Sequence, residues 1–313
     1  MQMLALFAPH TVQPAESLPF LRAKFTSPHI TIRSAALQCV RQFAQIAPTA
    51  VSQDGIEDEL LLMLDKERDV SLRSEIELLI TTLVDQLAPT SPARWLEIFK
   101  RIISATTRGS ATAGAASKDG TEKEPEEDED EDDAAGGALT QPVEIEDDGT
   151  FIPRWRTRVF CMECIKRILA GVRSDKREHF DLALARKLKE REQAGSQNDY
   201  LVLLLHDLVS ISFNGATSAI NALRPVGVSV LKDVIERFAH SMDPDFEGHP
   251  LLEIYSAQIA AALRPAFDKD APPSLTAAAC EVVVLFVSKN LTTDVGYDSR
   301  IELRGARGYT RPN

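Results

Sequence analysis

An arginine with large apolar residues seven and ten positions after it recurs four times along this chain. The sets are Arg33 with Val40 and Phe43, Arg73 with Ile80 and Leu83, Arg158 with Ile165 and Ile168, and Arg224 with Leu231 and Val234. The two apolar positions of each set lie three apart, so they share one face of a helix. Each set follows a turn and a shorter apolar run, which makes the recurring unit a pair of helices. Arg33 and Arg73 are 40 positions apart, a period within the range of HEAT and armadillo arrays.

Five such pairs can be read. The first joins Leu18–Phe25 to a helix through Ala36, Val40, Phe43 and Ile46, and the second joins Ile56–Leu64 to one through Ile76, Ile80, Leu83 and Leu87. The third begins at Trp95, Ile98, Phe99 and Ile102 and resumes, after a long insertion, at Trp155-Arg-Thr-Arg158. In the fourth, one helix through Tyr200, Leu204, Leu208 and Ile211 ends near Asn214 and Gly215, residues suited to a helix end. Leu223-Arg224-Pro225 then opens its second helix, with the proline where no amide donor is needed. The fifth runs from Leu251 through Ile254, Tyr255, Ile259 and Leu263, turns at Asp268–Pro273 and continues through Ala279, Val283 and Phe286. No pair can bury its apolar surface alone, so stacking into an α-solenoid is the expected all-α fold. Only Asp69 stands four before its arginine, so the repeats are divergent.

With 313 residues, 44% of them hydrophobic, the chain can build this core without metal or disulfide. Its net charge of -12 is local: residues 117–150 carry fifteen acids against Lys118 and Lys123, and the rest sums to about +1. This acidic stretch cannot offset its ordering entropy and is expected to be disordered. It reads as a solvated spacer, an acidic lure for a basic partner, or a kinase substrate loop at Thr121. The expected division is therefore residues 14–108 (two repeats and the first helix of the third), 109–150 (insertion), 151–289 (the remaining helices) and 290–313 (a loose tail). Met1–Phe7 is apolar but short, lacks a basic lead and meets Pro9, so neither signal peptide nor membrane span is expected, and the chain is placed in the cytoplasm.

Chemistry is not expected. Cys161 and Cys164 form a CxxC inside a helix, with Cys39 and Cys280 assigned to buried faces, so all four read as small core residues. His206-Asp207 is the nearest approach to an acid–base pair, yet neighbours on a helix point about 100° apart. Gly227-Val-Ser-Val230 fails the nucleophile-elbow pattern. The basic residues Arg167, Arg173, Lys176, Arg177, Lys187, Lys189 and Arg191 are diluted by Asp175, Glu178, Glu190 and Glu192 and lack interleaved aromatics, which favours a solvated face over nucleic-acid binding. No catalytic, cofactor or metal residue is assigned.

Several stretches resemble the HEAT repeat-containing protein 5 family: Trp155-Arg-Thr-Arg-Val-Phe160, His179-Phe-Asp-Leu-Ala-Leu-Ala185, Asp199-Tyr-Leu-Val202, Glu236-Arg-Phe-Ala239, Pro244-Asp-Phe246 with Gly248-His249, and Ala261-Ala-Leu-Arg-Pro-Ala-Phe267. The resemblance implies a scaffold without chemistry in traffic between trans-Golgi network and endosomes. The implied partners are the AP-1 clathrin adaptor and accessory proteins such as aftiphilin and gamma-synergin. Membrane association would be peripheral, through those partners, at the trans-Golgi network, endosomes and clathrin-coated vesicles. The alternative is another solenoid role, a nuclear transport receptor or phosphatase scaffold. From about Val282 the family pattern is lost, so a fragment or truncated member is expected, with Val282–Val287 apolar on nearly every side and prone to self-association.

Overall fold

The computed structural model describes residues 13–53, 55–105, 153–173, 175–191, 199–246, 248–289 and 291. Met1–Phe7, the acidic insertion and the tail from residue 292 lie outside these. The described residues form twelve α-helices, joined by 3-10 turns, and no strand beyond one isolated bridge.

The fold is an α-solenoid of HEAT-type helix pairs. The first pair is α1 (Pro14–Arg22) and α2 (Ile30–Ile46). A short α3 (Pro48–Val51) leads to the second, α4 (Ile56–Lys66) and α5 (Val70–Leu87). The third is α6 (Pro92–Ser104) and α7 (Trp155–Gly171), followed by an extra α8 (Leu182–Arg191). The fourth is α9 (Leu205–Ala216) and α10 (Leu223–Phe238), and the fifth α11 (Ser256–Leu263) and α12 (Pro273–Ser288). The second helices α2, α5, α7, α10 and α12 pack on one another in that order, while α6, α9 and α11 form a parallel row.

The eight repeating apolar positions all lie in this stack. Val40, Phe43, Ile80, Leu83, Ile165, Ile168, Leu231 and Val234 are each at most 1% exposed. Burial of such side chains contributes about 1.5–3 kcal/mol each, which is why the pattern fixes the inward face. The arginines that mark the repeat have a job of their own. Arg33 donates to the Ser27 carbonyl at 2.8 Å, Arg158 to that of Pro153 at 3.0 Å and Arg224 to that of Ser218 at 2.7 Å, so each ties the inter-helix turn to the helix it opens. Arg158 is pulled below the usual guanidinium range by burial, with the Asp65 carboxylate opposing. Arg73 differs: it pairs with Glu77, and its turn is held by Asp69, whose carboxylate accepts from the Leu72 amide at 2.8 Å. Charged contacts also join neighbouring first helices, as Arg22 forks onto Glu59 and Arg94 reaches the buried Glu57.

Local expectations change in four places. The first helix of the fourth pair is not continuous from Tyr200, since Leu201–Leu204 is a 3-10 turn before α9. Likewise Leu251–Tyr255 is a 3-10 turn, which leaves Ile254 65% exposed instead of on an inner face. Gly215 lies inside the last turn of α9, not in a left-handed cap; the described glycines with positive φ are Gly55 and Gly248. Its role is close approach. A methyl group on Gly227 would stand 2.3 Å from the Ala216 amide nitrogen and 2.9 Å from the Gly215 Cα, so α9 and α10 cross backbone on backbone. Cys280 is exposed, because on α12 it is Ala279, Val282 and Phe286 that face inward. Val284 and Val287 on the same helix are also exposed.

Candidate docking surface

Of the residues singled out for chemistry, Cys161 and Cys164 lie close enough on α7 to interact, while His206 and Asp207 take different partners. Cys161 and Cys164 are buried, and burial pushes both thiols up, away from the reactive thiolate. His206 and Asp207 part company: the His206 ring faces Tyr255 at 6.1 Å, while Asp207 reaches the Lys100 ammonium of α6 at 2.7 Å. Among the described residues no cluster of three His, Cys, Asp or Glu side chains has the arrangement of a metal site. The basic residues around the third pair are in part neutralised. Arg167 forks onto Asp85 at 2.9 and 3.1 Å, Arg173 pairs with Asp175, and Lys189 lies 3.7 Å from Asp199.

What the fold does build is a groove of about 400 Å³ with a mixed polar and apolar lining, between α8, the start of α9 and the loop leading to α11. The loop is tightly made. Its base closes where Leu251 donates to the Ser241 carbonyl at 2.8 Å and Met242 bridges Pro250. Asp243 N–H donates to the His249 carbonyl at 2.9 Å, and the Asp243 carboxylate accepts from the Asp245 amide at 2.9 Å. Gly248 supplies the left-handed residue (φ 86°) that lets so short a loop reverse. Arg186 of α8 clamps the loop by pairing with Asp245 at 2.9 Å.

This frame pushes apolar side chains into water. Phe246 is 65% exposed, Ile254 and Leu203 line the groove with it, and Met242 at the base of the loop is exposed as well. A groove that presents an aromatic side chain from its loop and two aliphatic ones from the flanking 3-10 turns, Leu203 and Ile254, has the character of a protein-docking site, since lone exposed apolar residues are ordinary but a cluster is not. Arg186, Asp243 and Asp245 bond to one another or to the loop backbone, and with His206 and Tyr255 they give the groove a mixed lining in which Phe246, Ile254 and Leu203 are the exposed apolar elements. Sequence reasoning missed these residues. Ile254 looked like one more periodic core position, and the loop residues carried no signal beyond the family-like Pro244-Asp-Phe246 and Gly248-His249.

Comparison with known proteins points to one family. Residues 200–302 match the model of the Laa1/Sip1/HEATR5 HEAT repeat region, a span that takes in α9 to α12 and the groove loop. Over 291 residues, 93% of the chain, the sequence is 31% identical to protein SWEETIE of Arabidopsis thaliana, of which this covers 13%. Over 138 residues, 44% of the chain, it is 28% identical to the AP-1 accessory protein LAA1 of Saccharomyces cerevisiae, of which this covers 6%. The chain thus spans a small part of the length of these relatives. Among the described residues no helix is long and apolar enough to cross a membrane.

Proposed function

The chain belongs to the Laa1/Sip1/HEATR5 HEAT-repeat family, and from that premise we propose that it is a non-catalytic scaffold segment acting with the AP-1 clathrin adaptor. The setting is membrane traffic between trans-Golgi network and endosomes, with attachment to membranes through protein partners. The similarity to a relative named for AP-1 carries this reading. The groove around Phe246 and Ile254, inside the family-matched span, supplies a surface suited to a protein partner.

The test is direct binding of purified chain to recombinant AP-1 complex by biolayer interferometry. Binding is expected, and the double substitution Phe246→Asp with Ile254→Asp is expected to weaken it, because both side chains are exposed and their loss does not touch the core. Absence of AP-1 binding, alongside binding to a Ran-type GTPase or a phosphatase catalytic subunit, would transfer the chain to another class of solenoid scaffold.

A further inference from the structure

A second groove, of about 570 Å³, lies between the first and second helix pairs, where the end of α1, the turn after it and the outer side of α4 meet. Its floor is apolar: Phe25 is buried, while Leu62 and Met63 of α4 present partly exposed side chains to it. Its walls are charged, and the charges do not balance. Glu59 is held by the Arg22 guanidinium through contacts of 2.7 and 3.0 Å. Glu67 is held by Arg33 at 3.0 Å, and its other oxygen accepts the amides of Arg68 and Asp69. Both carboxylates of the lining are thereby committed. Lys66 and Arg68 are exposed on the rim and, among the described residues, make no ion pair. The groove therefore combines an apolar floor with two uncompensated positive charges at its edge.

We propose that this groove docks an acidic segment of a partner protein, an extended peptide with one bulky apolar side chain flanked by carboxylates. The apolar side chain would settle over Leu62 and Met63, and the flanking carboxylates would meet Lys66 and Arg68. Rim charges of this kind steer association and select the partner's sign, while the buried anchor supplies most of the affinity. The occupant's chemistry follows from the lining. A basic peptide would face the two free cations, and a purely apolar one would leave them uncompensated. The proposal concerns a different surface from the Phe246 groove, so it stands or falls apart from the AP-1 reading.

The test uses the full chain and a fluorescent peptide, acetyl-DEDDFDED-amide, followed by fluorescence anisotropy. Saturable binding that weakens with added salt is expected. Lys66→Glu with Arg68→Glu is expected to lower affinity by roughly tenfold or more. Lys187→Glu with Arg191→Glu changes the charge equally at exposed positions elsewhere and is expected to leave binding unchanged. A peptide with alanine for phenylalanine is expected to bind about thirtyfold more weakly, the loss typical of one anchor residue. The proposal is overturned if the peptide does not bind, if the two charge reversals act alike, or if the alanine peptide binds as well. Circular dichroism of each variant, expected to match the parent, excludes loss of fold as the cause.

Discussion

Asp65 of α4 accepts a hydrogen bond from the Thr157 hydroxyl at 2.7 Å, and the same oxygen accepts from the Arg154 amide at 2.7 Å. Asp65 and Thr157 are both fully buried. The start of α7 has no cap from its own N-cap residue, Arg154. A carboxylate from the preceding pair instead binds the N-cap amide and the Thr157 hydroxyl, and places a negative charge at the positive end of the helix dipole. The start of the helix that resumes the third pair is thus tied to the second pair through one buried acid, beside the packing of α7 on α5 and the Arg167–Asp85 pair.

Replacing that acid should be costly. Asp65→Ala would leave the Arg154 amide and the Thr157 hydroxyl without partners, and each unsatisfied buried group costs about 1–3 kcal/mol. Thr157→Val removes one of these bonds and keeps the shape, so its loss should be the smaller. Urea unfolding followed by circular dichroism gives the order; equal midpoints for Asp65→Ala and the parent would show that the contact does not hold α7.

The crossing of α9 on α10 predicts an asymmetry between two glycines. Gly227→Ala drives a methyl into backbone, at 2.3 Å from the Ala216 nitrogen. At Gly215 the nearest obstacle is the flexible Met162 end at 2.4 Å, although the Gly227 Cα stands at 3.1 Å. Overpacking typically costs about 1–3 kcal/mol, and Gly227→Ala belongs at or above the top of that range with Gly215→Ala below it. Thermal melts of the two variants decide the ranking.

Leu231 is fully buried and Glu236, five residues on along α10, is exposed. Leu231→Ala should cost roughly 2–5 kcal/mol, whereas Glu236→Ala should be nearly neutral. Similar losses for both would mean that the inner face of α10 is assigned wrongly.

His179, 5% exposed, has its Nδ1 accepting from the Leu201 amide at 3.3 Å, with its ring edge-on to Tyr200. Burial first holds its pKa below the ordinary 6.5; Glu178 opposes this and Lys176 adds to it. The unfolded chain therefore takes up the proton more readily than the folded one. Stability contributed by neutral His179 is present above the unfolded pKa and is lost as pH falls through 6.5 toward the lower folded value. His179→Phe should be less stable at neutral pH but lose less on acidification from about pH 7.5 to 5.5. Parallel pH profiles of thermal midpoint for the two proteins would remove His179 as the titrating group.

The helix pairs and their inner faces could be read from the sequence because they rest on local periodicity. A residue seven or ten positions after an arginine takes its direction from the helix itself, whatever that helix later meets, and Val40, Ile80, Ile165 and Leu231 all point into the stack. What depends on encounters between distant residues was settled only by the fold. Asp65 gives no sign in sequence that it will bind the start of a helix nearly ninety residues on, because partners for a helix start are ordinarily sought within one turn. Gly215 resembled a helix terminator, since close approach requires knowing that Gly227 lies opposite. Ile254 and Cys280 carried apolar character that fitted a buried face, and their exposure follows from a 3-10 turn and a rotation of about 100° per residue about a helix axis, neither of which composition records. Both grooves belong to this second class: their floors, walls and free charges come from separate helices whose juxtaposition is a property of the packed array.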